Sequence, residues 1–264
     1  ESACDPTMVA ILEPYCQDYI EKFTSSQAHT STIQTTIETR PFVTLAYAQS
    51  LDSRMSTTPR VQTKILGPQT EAMTHYIRSK HDAILVGAGT VRADNPKLNC
   101  RYPSGKSPIP VILDPRALWD YERSQLRQIH ELGAGLAPLI IVDNSTNVGN
   151  TQLLEEHGGK IVRVAIKGRT NDEVWGAILE ALLLEGIGSI MIEGGAKVIN
   201  DLLMLPQYVD SIIITIGSVF LGKNGVEVAP IDGLELQDVS WWSGGGDSVL
   251  CGKLLTNTHD RVSR

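Results

Sequence analysis

The sequence predicts an α/β fold: a mostly parallel central sheet with helices on both faces and an antiparallel hairpin at its C-terminal end. Three observations carry that expectation. Short runs of Ile, Val and Leu, such as AILVG at 83–87 and APLIIVDN at 137–144, are separated by longer segments, as strands buried on both faces are. VWGAILEALLLEG at 174–186 is an amphipathic helix with Val174, Ile178, Leu182 and Leu183 on one side, and it leads into the strand SIMIE. Finally, LELQDVSWW, the glycine turn SGGGD and SVLCGKLL read as two strands folded back on each other.

Taken in order, residues 1–23 form a short helical lead-in broken at Pro14. TSSQAHTSTIQTT at 24–36 is Ser/Thr-rich and poor in apolar residues, so 1–40 is expected to be an extension and 41–264 the folded domain. PFVTLAYAQS from Pro41 is a strand, GPQTEAMTHYIRSKH at 67–81 a helix, and AILVG and PIPVILD are strands. The charged segment 116–136 is a surface excursion with one helix. APLIIVDN and KIVRVAI at 160–166 are strands, followed by the long helix, SIMIE, and a further strand in DSIIITIGSVFLG, whose core part runs from Ile212 to Phe220. Trp241 and Trp242 are expected to pack in the terminal hairpin.

The composition excludes several classes. The chain has 264 residues, 42% of them hydrophobic, enough for one large core or two small ones. No window approaches the ~18 apolar residues of a membrane span, and ESACDPTMVA has no secretory character, so a cytoplasmic protein without membrane contact is expected. Cys4, Cys16, Cys100 and Cys251 form no C-x-x-C, which points to reduced thiols. A formal charge of −7 argues against nucleic-acid partners, and an anionic ligand would need a local basic cluster. His75 and His81 have no second ligand at metal spacing and are expected to be surface or capping groups, so no metal site is predicted.

Ligands bind parallel sheets at the carboxyl ends of the strands, and two of those ends are glycine-rich. Gly87-Ala88-Gly89-Thr90 follows one strand and Gly194-Gly195-Ala196-Lys197 another. Glycine lets backbone approach a ligand, and a following helix aims N–H groups at a phosphate. The first loop is not a Rossmann fingerprint, because Arg92 stands at the third glycine, and a tight turn explains a lone G-x-G equally well. Asp52 and Arg54 follow the first strand; a turn cap and a solvated charge are the competing readings for them. Asp94, Asn95, Leu98 and Arg101 gather behind the second strand, with Asn95 ordering the loop before Pro96, and Glu193 closes a third strand, where a buried charge needs a partner or a ligand.

Three ordered blocks, PFVTLAYAQSLDSR, HDAILVGAGTVRADNPKLNCR and IMIEGGAKVINDLL, together resemble the riboflavin-pathway reductases, and within them the fungal-type diaminopyrimidinone 5′-phosphate reductase family. The resemblance covers about residues 41–255 and implies a dihydrofolate-reductase-like fold that pairs as a homodimer. It further implies NADPH-dependent reduction of the ribosylamino side chain of 2,5-diamino-6-(5-phosphoribosylamino)pyrimidin-4(3H)-one, a phosphorylated small molecule, to the ribitylamino product. By position it assigns Gly87, Thr90, Asp94, Gly194, Gly195, Ala196 and Lys197 to the cofactor, and Asp52, Arg54, Leu98, Arg101 and Glu193 to the substrate. Glu193 and Asp52 are then the candidates for binding ribose hydroxyls or the iminium charge, one of them acting through water as proton donor. Arg101, with Arg54 or Lys64, is the candidate for the 5′-phosphate.

The chain departs from bacterial relatives in two places. Gln62-Thr63-Lys64-Ile65-Leu66-Gly67 replaces a Trp-containing S-x-W-I-T-S segment, and Arg54 replaces the Lys of S-L-D-G-K, which speaks against a lysine acid there. Neither H-x-E nor P-C-x-x-C of a zinc deaminase occurs, so reduction before deamination is expected. The rival readings are another pterin or heterocycle reductase of this fold, and a non-catalytic nucleotide-binding sensor.

Overall fold

In the computed structural model the first strand, β1 (Phe42–Gln49), lies inside the main sheet, with three strands on one side of it and five on the other. The structure describes residues 4–16, 39–59, 61 and 63–255; the Ser/Thr-rich segment 24–36 and Gln62 lie outside them. Beyond β1 the chain forms β2 (Arg54–Ser56), β3 (Ala83–Gly87), β4 (Ile109–Leu113), β5 (Leu139–Asp143) and β6 (Lys160–Val164). It then forms β7 (Ser189–Gly194), β8 (Ser211–Gly217), β9 (Val226–Glu227), β10 (Leu236–Gly244) and β11 (Asp247–Leu254). Nine of these make one sheet in the order β10-β11-β8-β1-β7-β3-β4-β5-β6, while β2 and β9 pair separately. All ladders from β8 to β6 are parallel, and β11 runs antiparallel to both β8 and β10. This is the mostly parallel sheet with a terminal antiparallel hairpin that the sequence predicts. Gly245 and Gly246, at φ 62° and 91°, make the two-residue hairpin turn.

The strand alternation divides the core between two faces. Leu45, Leu85, Val111, Ile141 and Ile192 point to one face, where Trp175, Ile178, Leu179 and Leu182 of α6 (Asn171–Leu184) and Ile199 and Leu202 of α7 (Ala196–Leu203) cover them. On the other face Ala46, Met191 and Ile213 meet Met8 and Leu12 of α1 (Pro6–Leu12) and Met73 and Ile77 of α2 (Pro68–Ser79). Farther along that face Ile84, Ile112 and Ile140 meet Val91 of α3 (Ala88–Asp94), Leu126 of α4 (Gln125–Glu131) and Leu154 of α5 (Gln152–Glu156). Each fully buried Leu or Ile contributes about 1.5–3 kcal/mol. The lead-in helix is seated in this core, capped by Asp5, which accepts from Thr7 N at 2.7 Å, and followed by a single 3-10 turn containing Pro14. Among the described residues no helix is long and apolar enough to cross a membrane, and Cys4, Cys16 and Cys251 are buried.

Four sequence expectations need correction. The buried stripe of α6 runs through Trp175, Ile178, Leu179 and Leu182; Val174 and Leu183 are only partly buried. The helix also starts earlier, at Asn171, because Thr170 and Glu173 form a reciprocal capping box. The core strand does not reach Phe220: β8 ends at Gly217, and the chain bends so that Val219 O accepts from Leu51 N at 2.8 Å, leaving Phe220 72% exposed. His75 and His81 are buried rather than on the surface, and for His81 the capping alternative holds: its Nδ1 bonds Ile77 O, in the last turn of α2, at 2.8 Å, while its Nε2 meets Thr44 Oγ1 at 2.7 Å. In the hairpin, Trp242 packs in the core while Trp241 is exposed.

Candidate active site

The parallel strands put their carboxyl ends on one rim, and a cavity of about 1200 Å³ opens there across β8, β1, β7, β3 and β4. Its first wall is made by the two glycine loops. Because β3 and β7 are parallel neighbours with Val86 opposite Gly194, both loops leave the sheet side by side. A Cβ on Gly195 would come within 2.9 Å of Thr90 Oγ1, so the loops touch through this position. Gly194 sits at φ 116°, a conformation that side-chain-bearing residues rarely adopt, and the Gly194–Gly195 peptide is cis. Gly195 is the N-cap of α7 and offers no side-chain oxygen, which leaves the first-turn N–H groups to other acceptors.

The second wall is α2. Glu71, His75 and Arg78 share one helix face by their i, i+4, i+7 spacing, and all three line the cavity. Arg78 clamps Glu193 in a bidentate pair, Nε to Oε1 at 2.8 Å and Nη2 to Oε2 at 2.7 Å, while its Nη1 donates to Asn99 O at 3.1 Å. Burial works against the Arg78 charge, but the Glu193 carboxylate outweighs it and holds the guanidinium above its ordinary pKa. His75 Nδ1 accepts from Arg101 N at 3.2 Å. Burial first, and then the charges of Arg78 and Arg101, push His75 down to about 4, so the ring is neutral near pH 7 with its proton on Nε2. Glu71 meets Arg101 Nη2 at 3.3 Å and Lys64 Nζ at 3.6 Å.

Of the residues singled out by sequence, Gly87, Thr90, Asp94, Gly195, Ala196, Lys197, Leu98, Arg101, Glu193 and Lys64 all border this one cavity. Asp94 is half-buried and its carboxyl is pushed up by that burial, whereas the Lys197 ammonium pairs with Asp201 at 2.7 Å. Asn95 takes a left-handed C-cap and accepts from Gln125 N at 2.9 Å, ordering its loop as expected. Gly194, Asp52 and Arg54 are not among the lining residues. Asp52 accepts from Ser50 Oγ at 2.5 Å, Leu221 N at 3.0 Å and Gly222 N at 2.7 Å, and these bonds, Ser50 first, hold its carboxyl down at about 2. Arg54 pairs with Glu227 across β2 and β9 at 2.8 Å.

Sequence reasoning missed Glu71, His75 and Arg78, whose helical spacing was the available signal, and three cations on the β4 side. Arg92, Lys97 and Arg116 line the cavity there, exposed, and no hydrogen bond or ion pair engages them among the described residues. The cations of the α2 wall are balanced by Glu71 and Glu193; these three are not. Among the described residues no group of acidic, His or Cys side chains could hold a metal ion.

The model of the RibD C-terminal domain family matches residues 41–250. A 2,5-diamino-6-ribosylamino-4(3H)-pyrimidinone 5′-phosphate reductase of Debaryomyces hansenii is 48% identical over 251 residues, 92% of this chain and 96% of its own. The Saccharomyces cerevisiae reductase of the same name is 41% identical over 247 residues, 92% and 98% of the two chains. A solved structure of the riboflavin biosynthesis reductase of Saccharomyces cerevisiae superposes with a TM-score of 0.76 at 38% identity, covering 94% of this chain and 99% of that one. The deaminase/5-amino-6-(5-phosphoribosylamino)uracil reductase of Thermotoga maritima shares the fold, with a TM-score of 0.63 at 24% identity over 82% and 57% of the chains.

Proposed function

The chain belongs to the RibD C-terminal domain family of riboflavin-pathway reductases, and on that premise we propose that it reduces 2,5-diamino-6-(5-phosphoribosylamino)pyrimidin-4(3H)-one to the ribitylamino compound with NADPH, before deamination. The observation that carries the reading is the charge layout of one continuous cavity. Unbalanced Arg92, Lys97 and Arg116 lie on its β4 side. Lys64 lies on the other side, where its neighbour Ile65 packs on Gly217 of β8, and is tied through Glu71 to Arg101. Two anionic ligands laid end to end, a dinucleotide and a sugar phosphate, match such a layout.

The residues present fit a nicotinamide dinucleotide. The side-chain-free approach of Gly195 to Thr90, the uncapped start of α7 and the β4-side cations form a cradle for phosphates. Gly87, Thr90, Asp94, Gly194, Gly195, Ala196 and Lys197 would hold the cofactor, with Arg92, Lys97 and Arg116 favouring the extra phosphate of NADPH. Bound there, NADPH supplies a hydride. The protein's own work is orientation. Arg101 and Lys64 exchange their long contacts with Glu71 for the substrate 5′-phosphate, and Leu98, fully buried, supports the adjoining wall. Glu193 offers carboxylate oxygens to the hydroxyls of the opened ribose. Asp52 and Arg54 support the site from behind: Asp52 fixes the turn at Leu221–Gly222, and Arg54 joins β2 to β9.

The name of the yeast relatives specifies a diaminopyrimidinone and that of the bacterial neighbour a uracil. Identity to the former supports action on the undeaminated compound, with a separate deaminase acting afterwards. We also propose a homodimer in the cytoplasm. Exposed Leu51, Val219 and Phe220, joined by the Leu51–Val219 hydrogen bond, are the apolar surface that pairing would cover, and sedimentation of the purified protein would test it.

Mass spectrometry of the product tests the reaction. Incubation with NADPH and the phosphoribosylamino substrate should give a compound heavier by two hydrogens. Recovery of unchanged substrate from protein that binds NADPH would contradict the proposal.

A further inference from the structure

Glu193 leaves the end of a buried strand and points a carboxylate at the cavity, yet both of its oxygens are taken by one guanidinium. We propose that Arg78 is a positioning residue for the reduction: it clamps Glu193 so that this carboxylate faces the substrate as a fixed, ionised acceptor and not as a proton donor. The inference rests on the reductase reading above and adds a residue and a charge state to it.

The clamp is built on a rigid mount. α2 is anchored by Met73 and Ile77 in the core and by Thr70 Oγ1, which donates to Asp247 at 2.5 Å. The Arg78 side chain therefore crosses from a fixed helix to the end of β7, and its third bond, to Asn99 O, keys it to the loop that carries Arg101. The two side chains are only 12% and 16% exposed, so little water competes for their charge-assisted bonds. Both oxygens accept from the guanidinium at once, which is the arrangement of a carboxylate and not of a carboxyl group that carries a proton on one oxygen. Each carboxylate oxygen in a bidentate pair keeps a further lone pair. Glu193 makes no other hydrogen bond among the described residues, so those acceptor sites remain for a ligand in the cavity. A polyhydroxylated chain such as an opened ribose supplies the matching donors.

The test compares wild type with R78Q, R78K, E193Q and the doubly neutral R78Q/E193Q, each checked for thermal stability and NADPH affinity. For R78Q, kcat/KM for the phosphoribosylamino substrate should fall about 100-fold at neutral pH, the scale expected when a buried charge pair loses one partner. The loss should fall on KM as well as on kcat, because the carboxylate no longer meets the substrate hydroxyls in one fixed orientation. R78K should lose only about 10-fold in rate, since an ammonium keeps the charge but cannot hold both oxygens. The double variant should stay as inactive as E193Q, because the negative charge itself is required, and NADPH affinity should be unchanged throughout.

A wild-type KM in R78Q, recovery of rate in the double variant, or full activity in R78K would each overturn the inference and reduce the pair to scaffolding. If R78Q does not fold, R78K and E193Q still decide it. Wild type that turns over nothing contradicts the reductase reading itself, whereas wild-type turnover with indifferent variants contradicts this inference alone.

Discussion

Thr90 and Gly195 belong to different loops, yet a Cβ on Gly195 would lie 2.9 Å from Thr90 Oγ1. The two glycine loops therefore form one surface, and a methyl group added at their seam must push Thr90 out of place. Gly195→Ala should weaken NADPH binding by about 10-fold, roughly 1.4 kcal/mol, in a fluorescence titration. The far-ultraviolet circular dichroism should be unchanged, because Gly195 has an ordinary extended φ of −75°.

Arg116→Ala and Arg92→Ala should each raise the Kd for NADPH about 10-fold while leaving that for NADH nearly constant, as expected for loss of a charge-assisted bond of ~1.5–3 kcal/mol. The discrimination between the two cofactors should also shrink with added salt, because these cations are exposed. Equal weakening of both cofactors would place the three cations elsewhere in the ligand.

Asp52 supplies a pH dependence. Its folded pKa, held down at about 2 by Ser50 and the Leu221 and Gly222 amides, lies below the ordinary 3.8. Its stabilisation is thus fully present above the unfolded value and is lost as pH falls through the folded one. Asp52→Asn should lower Tm at pH 7, and the gap to wild type should close on acidification toward about pH 2. A constant gap across that range would contradict the assignment.

Most of the sheet was legible because its strands are five- to eight-residue runs whose apolar character is set by burial on both faces. The two glycine loops were legible as strand ends, because glycine closes both apolar runs, and the parallel pairing of β3 with β7 then sets them side by side at the cavity. The α2 face was not: a stripe of Glu71, His75 and Arg78 has the periodicity of a solvated helix surface, and only the fold turns that surface toward a cavity. Asp52 and Arg54 stood beside the site in sequence, but their side chains turn to the Leu221–Gly222 amides and to Glu227. β2 and β9, with three and two residues, are too short to leave a period, and α3, with a glycine inside seven residues, hides its helix.

The N-terminal helix should carry measurable stability. Leu12 is completely buried against the sheet, so Leu12→Ala should cost about 2–5 kcal/mol in urea unfolding. A cost within about 0.5 kcal/mol, the range for surface positions, would mean that the helix is not docked in solution.

The central claim is best tested by initial rates of NADPH oxidation with the diaminopyrimidinone substrate and its deaminated uracil counterpart side by side. The account predicts faster turnover of the diaminopyrimidinone, with little rate when NADH replaces NADPH. Turnover confined to the uracil compound, or none with either substrate, would contradict it.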